Sequence, residues 1–168
     1  MKRTNLIAIV VGVMALAFGL GAAQQSHAKT TPPPATQKQP AAEPSIQFEA
    51  VQPQTKKFIE YHKTIRLTPE QEKIKSDALS PLKAVCCKDF SALTCCCPCN
   101  FSKSLWGMTH YLIAKKGYTV AQVQDAAKAW IAYVNPKGFS GDVCQTSGCN
   151  RPFAQNGCGG MDDKAIVF

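Results

Sequence analysis

The chain has 168 residues, nine of them cysteine, and a formal net charge of +8. With a leader and a spacer set aside, what remains is one small domain, in which covalent or metal staples would add noticeably to a modest core. Its basic residues are scattered: beyond the leader, Lys56-Lys57 and Lys115-Lys116 are the only basic pairs and arginines do not cluster, which argues for solvated lysines and against a nucleic-acid partner.

Lys2 and Arg3 precede an apolar run from Leu6 to Ala23, with small-residue sites at Gly21-Ala22-Ala23 and Ser26-His27-Ala28. These parts predict a secretory signal peptide over residues 1–28, cut after Ala28 or else after Ala23. The run approaches the roughly 20 residues that span a bilayer. Its Gly and Ala content and its cleavable end nevertheless predict removal, leaving no stable membrane span. The mature protein is expected in the periplasm or outside the cell, where disulfides persist. Residues 29–54 hold Pro32, Pro33, Pro34, Pro40, Pro44 and Pro53 and almost no large apolar side chain, which predicts a flexible linker. The cysteine-rich domain is then expected over 55–168.

That domain reads as mainly α. Phe58, Ile59 and Tyr61 suit a short helix between Lys57 and Ile65. Thr68-Pro69-Glu70-Gln71 offers an N-cap threonine, a first-turn proline and a glutamine three residues after the cap, predicting a helix from Pro69 to about Leu79. Ser80-Pro81 interrupts it, and Pro81 is expected to open a short turn toward Cys86. Leu105, Met108 and Leu112 recur at helical spacing, predicting a helix from about Ser102 to Lys116 that Gly117 ends. Thr119-Val120-Ala121-Gln122 repeats the capping pattern. Val120, Val123, Ala127, Trp130, Ile131 and Val134 then mark one face as far as Asn135-Pro136-Lys137-Gly138. A helical hairpin over about 102–134 follows. Beyond Gly138 periodicity is lost, and a long Gly-rich tail with Cys144, Cys149 and Cys158 needs disulfides or metal bonds back to the cluster to hold it.

Six cysteines lie within fourteen residues: Cys86, Cys87, Cys95, Cys96, Cys97 and Cys99. Cys95, Cys97 and Cys99 form a CxCxC that sets three thiols at alternate positions of an extended loop. Thiolates are soft ligands suited to Cu(I) or Zn(II), with Cys86, Cys87 or Cys96 as further ligands. Cys96 and Cys99 also form a CxxC just ahead of a helix, where backbone N–H groups and the dipole would favour a thiolate. In that reading they are a catalytic redox pair acting on a thiol or disulfide protein partner. A third reading is structural, with Cys144, Cys149 and Cys158 bridged to cluster cysteines and an odd thiol left over. His110 stands two turns into the following helix, able to reach the cluster or to pack. Trp106, Met108 and Trp130 read as core. No Ser/His/Asp arrangement, phosphate-binding glycine loop or carboxylate pair suggests other chemistry.

The CxCxC run, followed by a helix, Gly117 and a second capped helix, resembles the CYCxC-motif family of secreted bacterial proteins over about Thr94 to Tyr133. Cys96 stands at that motif's tyrosine and Pro98 at its variable position, while Gly107 and Thr109 stand where cysteines of the first helix are sought. The resemblance implies a signal peptide and a Pro- or Ser-rich spacer and assigns no activity. Cys96, Cys99 and the stretch Lys115 to Val123 more distantly resemble the CxxC thiol subunit of bacterial cytochrome c maturation, which implies extracytoplasmic thiol chemistry. The CCC run and the cysteine-rich tail depart from that family.

Overall fold

Thr68 and Thr119 each open a helix in the same way. The threonine side chain accepts from the backbone N–H three residues on, and the glutamine there, Gln71 or Gln122, reaches back to the threonine's own N–H. Both caps are complete as the sequence predicts, because each satisfies two of the donors that a helix start leaves without partners. In a computed structural model, which describes residues 46–168 apart from 145 and 147, these helices are α2 (Pro69–Leu79) and α4 (Val120–Val134). With α1 (Val51–Thr64) and α3 (Asn100–Lys116) they form a mainly α domain, with no strand among the described residues. The leader, both cleavage sites and residues 29–45 of the expected linker lie outside the described residues.

The start of α1 corrects the expected domain edge. The helix begins at Val51, inside the segment read as linker, and the extended residues before it also pack. Phe48 meets the Trp130 ring edge-on with centroids 5.1 Å apart, and the Tyr133 hydroxyl donates to the Glu49 carbonyl at 3.0 Å. Pro53, which argued for a linker, sits in the first turn, where a helical N–H has no intrahelical partner to lose. Gln54 is buried and accepts from the Glu49 N–H at 3.1 Å.

α3 is the central element. α1 crosses it so closely that a methyl group on Gly107 would overlap the Phe58 carbonyl and lie 2.8 Å from the His62 nitrogen. Only a residue without Cβ allows that approach. Phe58, Leu105, Met108 and Trp130 form the core between α1, α3 and α4, and the Trp130 indole N–H donates to Ser104 Oγ at 3.1 Å. Ala78, Ile113 and Val123 make a second cluster under α2. Gly117 takes the left-handed conformation (φ 67°) and, with Tyr118, returns bonds to Ile113 and Leu112, so α3 and α4 join as the predicted hairpin. No membrane-length apolar helix occurs among the described residues.

Candidate metal centre

Two irregular segments carry all nine cysteines to one end of α3. The first, residues 80–99, opens with the expected short turn at Ser80-Pro81, closed by the Leu82 N–H donating to the Leu79 carbonyl at 3.2 Å. It then folds back on itself, with an antiparallel bridge between Lys83 and Ser91, Ala84 N–H donating to Phe90 O at 2.9 Å and Ala92 N–H to Leu82 O at 2.7 Å. Cys86 and Cys87 stand in the bend, and the chain runs on past Ser91–Thr94 to Cys95. The Trp106 indole N–H donates to the Ala92 carbonyl at 2.8 Å and pins this loop to α3.

The second segment, residues 139–168, supplies what the start of α3 lacks. Cys99, the residue before α3, makes no side-chain cap. Instead the tail carbonyls of Gly160 and Cys158 accept from the Asn100 and Phe101 N–H groups at 2.9 and 3.1 Å. Asn100, fully buried, donates from Nδ2 to the carbonyls of Gly159 and Asp162, each at 2.8 Å. α3 therefore starts at Asn100 rather than Ser102, since donors at a helix start need acceptors and the tail brings them. The same bonds set Cys158 beside Cys99. Further along, Cys144 N–H donates to Cys86 O at 3.1 Å, drawing that part of the tail onto the cysteine loop.

The sulfurs divide into an inner knot and an outer rim. Cys86, Cys99 and Cys158 are fully buried and contact one another, with Cys95 Sγ 2.7 Å from Cys86 Sγ. On the rim, Cys87 and Cys96 form a disulfide. Cys96 Sγ lies 3.4 Å from Cys97 Sγ and 3.3 Å from Cys144 Sγ, and Cys97 and Cys144 are 3.4 Å apart. Two groups have all sulfurs within 4.8 Å of one another: Cys97, Cys144 and Cys149, and Cys86, Cys87, Cys96 and Cys144. Sulfurs bound to one tetrahedral Zn(II) at about 2.3 Å stand roughly 3.8 Å apart. Both groups are within small side-chain movements of that spacing, and Cys97, Cys144 and Cys149, all outside the disulfide, could hold a metal ion as they stand.

Electrostatics follow the same division. In the knot the Cys158, Cys86 and Cys95 thiols donate to Cys99, which holds it well below the ordinary thiol range despite its burial. Cys95 is pushed up by its bonds to Cys86 and Cys99 and by burial. Cys86 is raised by its contact with Cys158, with donation from Cys95 opposing. On the rim, burial raises Cys97 to about 12, helped by its contact with Cys144. Cys144 is raised first by burial, against the pull of its bond with Cys97. Thiols held protonated in this way are poor nucleophiles. A bound cation removes such protons directly, because coordination stabilises the thiolate far more than the surroundings do.

All the sequence-predicted residues meet at this place, with partners that the spacing did not specify. The six cysteines of the run are split: Cys95 and Cys99 belong to the knot, Cys96 and Cys97 to the rim, and Cys86 and Cys87 stand where the two join. Cys96 is bridged to Cys87 and not to Cys99, its CxxC partner. Cys144, Cys149 and Cys158, expected as bridge partners, carry thiols, two on the rim and one in the knot. His110 faces away from sulfur: its Nδ1–H donates to the Ile65 carbonyl at 3.0 Å and its Nε2 accepts from Lys75 at 2.9 Å. His62, for which the sequence offers no partner, packs on the rings of Trp106 and His110. The sequence allows the tail cysteines disulfides or metal bonds back to the cluster, but nothing in the spacing places Cys144 and Cys149 beside Cys97 as ligands.

Compared with protein-family models, with curated proteins and with solved structures, the chain matches none.

Proposed function

We propose that this is an exported protein that binds a soft metal ion, Cu(I) or Zn(II), at the open trithiol Cys97/Cys144/Cys149. The observation that carries the reading is that three half-buried thiols, outside any disulfide, come within 4.8 Å of one another from segments far apart in the chain. Three thiolates suit Cu(I), which needs few ligands, and also serve Zn(II) with one position left for an exchangeable ligand. Because these thiols are reachable from solvent, the ion can be taken up and handed on. The signal-peptide pattern of residues 1–28 and the likeness to the secreted CYCxC proteins support work outside the cytoplasm. The test is metal content after anaerobic incubation with Cu(I) or Zn(II) and desalting: the wild type should retain the ion and Cys97→Ser/Cys144→Ser should lose it. Equal retention by that variant would remove these thiols from the site.

Thiol–disulfide exchange is the second reading, and it rests on Cys97 and Cys144 lying 3.4 and 3.3 Å from the sulfur of the exposed Cys96 in the disulfide. Either thiolate is placed to attack that bond. With its pKa at about 12, however, Cys97 is a thiolate in only roughly one molecule in 10⁵ at pH 7. Catalytic turnover of a small model disulfide by the metal-free protein would favour exchange over metal binding.

A further inference from the structure

We infer a second metal site, Cys86/Cys87/Cys96/Cys144, that the Cys87–Cys96 disulfide keeps closed and that reduction opens. The inference deepens the proposed function, because it places a redox-dependent site beside the trithiol. All four sulfurs already lie within 4.8 Å of one another, yet two are joined in the disulfide and only Cys86 and Cys144 carry thiols. Two thiols do not complete the four-coordinate thiolate shell that a structural zinc takes.

As a staple this bridge closes only a short loop. Its ends are nine residues apart, and the loop between them is already drawn together by the Lys83–Ser91 bridge and the bonds of Ala84 and Ala92. Cross-links stabilise most when they close long loops. Such loops end at Cys144, Cys149 and Cys158, which carry thiols instead. The disulfide thus sits where it changes the number of available ligands more than the freedom of the chain.

The opening step needs a dithiol reductant. Its thiolate attacks Cys96, the exposed end of the disulfide, and the S–S electron pair leaves on Cys87, which takes a proton. The second thiol of the reductant then attacks its own sulfur in the mixed disulfide and releases Cys96. The reductant ends as a cyclic disulfide, and the protein has gained two electrons and two protons. A metal ion entering next displaces the protons of Cys86, Cys87, Cys96 and Cys144. Cys144 also belongs to the trithiol, so with both sites filled it bridges two ions.

The experiment takes metal-free protein under anaerobic conditions. One half is treated with dithiothreitol and desalted, and both halves are titrated with Zn(II), with the bound metal counted by mass spectrometry. Reduction should add one Zn(II) per chain. The gain should vanish in Cys87→Ser/Cys96→Ser and persist in Cys149→Ser, which removes only the ion held without reduction. In the reduced wild type, Zn(II) should also protect Cys87 and Cys96 from iodoacetamide, a readout that needs no variant to fold. Equal stoichiometry in the two halves, a gain that survives the double substitution, or alkylation of both cysteines in the loaded protein would each overturn the second site. Absence of the reductant-independent ion from the wild type, with the gain intact, would overturn the trithiol reading and leave this one standing.

Discussion

α1 to α4 bury Phe58, Leu105, Met108 and Trp130 against one another, and two of the four begin in complete capping boxes. Residues 80–99 and 139–168 bury sulfur beside Val143 and Phe153, and among the described residues their regular structure amounts to one bridge and two three-residue helical turns. The two regions meet chiefly at the first turn of α3, with a further bond from Trp106 to Ala92. The helical region owes its order to apolar burial, which oxidation and metals leave untouched. The loops owe theirs to backbone bonds, to the packing of Val143 and Phe153, and to sulfur, whose state both can change. A protein arranged in this way can alter its thiols without unfolding the scaffold that presents them.

The largest expected effect tests whether the scaffold stands by itself. Trp130 is fully buried, so Trp130→Ala should cost about 3–5 kcal/mol, read as a lowered urea midpoint. Gly107→Ala should also destabilise, because its methyl group meets the Phe58 backbone and α1 must move off α3. Neither change should depend on metal or reductant. A wild-type midpoint that collapsed on metal removal would break the distinction between the regions.

Next comes the seam. Asn100→Ala removes two buried donors and leaves the Gly159 and Asp162 carbonyls without them, at a cost of about 2–3 kcal/mol. The damage should appear mainly as limited proteolysis within residues 139–168 and as weaker metal retention, with helical circular dichroism nearly intact. Helix loss that keeps pace with tail cleavage would show that the tail is part of the scaffold.

These contrasts also explain what the sequence made legible. The helices announce themselves locally, through Thr68/Gln71, Thr119/Gln122, Gly117 and the apolar spacing of α3 and α4. The start of α1 does not, because its order depends on Phe48 finding Trp130 and Tyr133 more than eighty residues away, while Pro53 suggests a linker. The cysteine run is plain in the sequence, but its partners are not. Cys158 reaches Cys99 only because the tail accepts the first N–H groups of α3, and Cys144 reaches the rim through its bond to Cys86 O. Spacing carries no record of such distant pairings.

Acid should weaken the scaffold through His110. Its ring is buried beside Lys75, His62 and Glu72, with Nε2 already accepting from Lys75, and burial and then the Lys75 charge lower its pKa to about 4. The unfolded ring, near 6.5, takes up its proton first as pH falls. Stability is therefore full above about 6.5 and is lost as pH drops toward about 4, by an amount on the order of 2 kcal/mol. His62, lowered by burial and by Lys75, acts in the same direction. Urea midpoints at pH 7 and pH 4.5 should differ in the wild type and draw closer together in His110→Gln. An unchanged difference in that variant would assign the acid sensitivity to other groups.

The smallest effect is the most exact probe of independence. Thr119→Ala removes the side chain that accepts from the Gln122 N–H at the start of α4, which should cost about 1 kcal/mol. α4 carries no cysteine and begins at the Gly117 turn, at the opposite end of α3 from Cys99. The variant should melt a few degrees lower with its thiol count, its disulfide and its metal stoichiometry as in the wild type. A loss of metal matching the loss of stability would mean that the sulfur region responds to strain anywhere in the helices. Unchanged metal content beside a lower midpoint would place the boundary between the two regions at the first turn of α3.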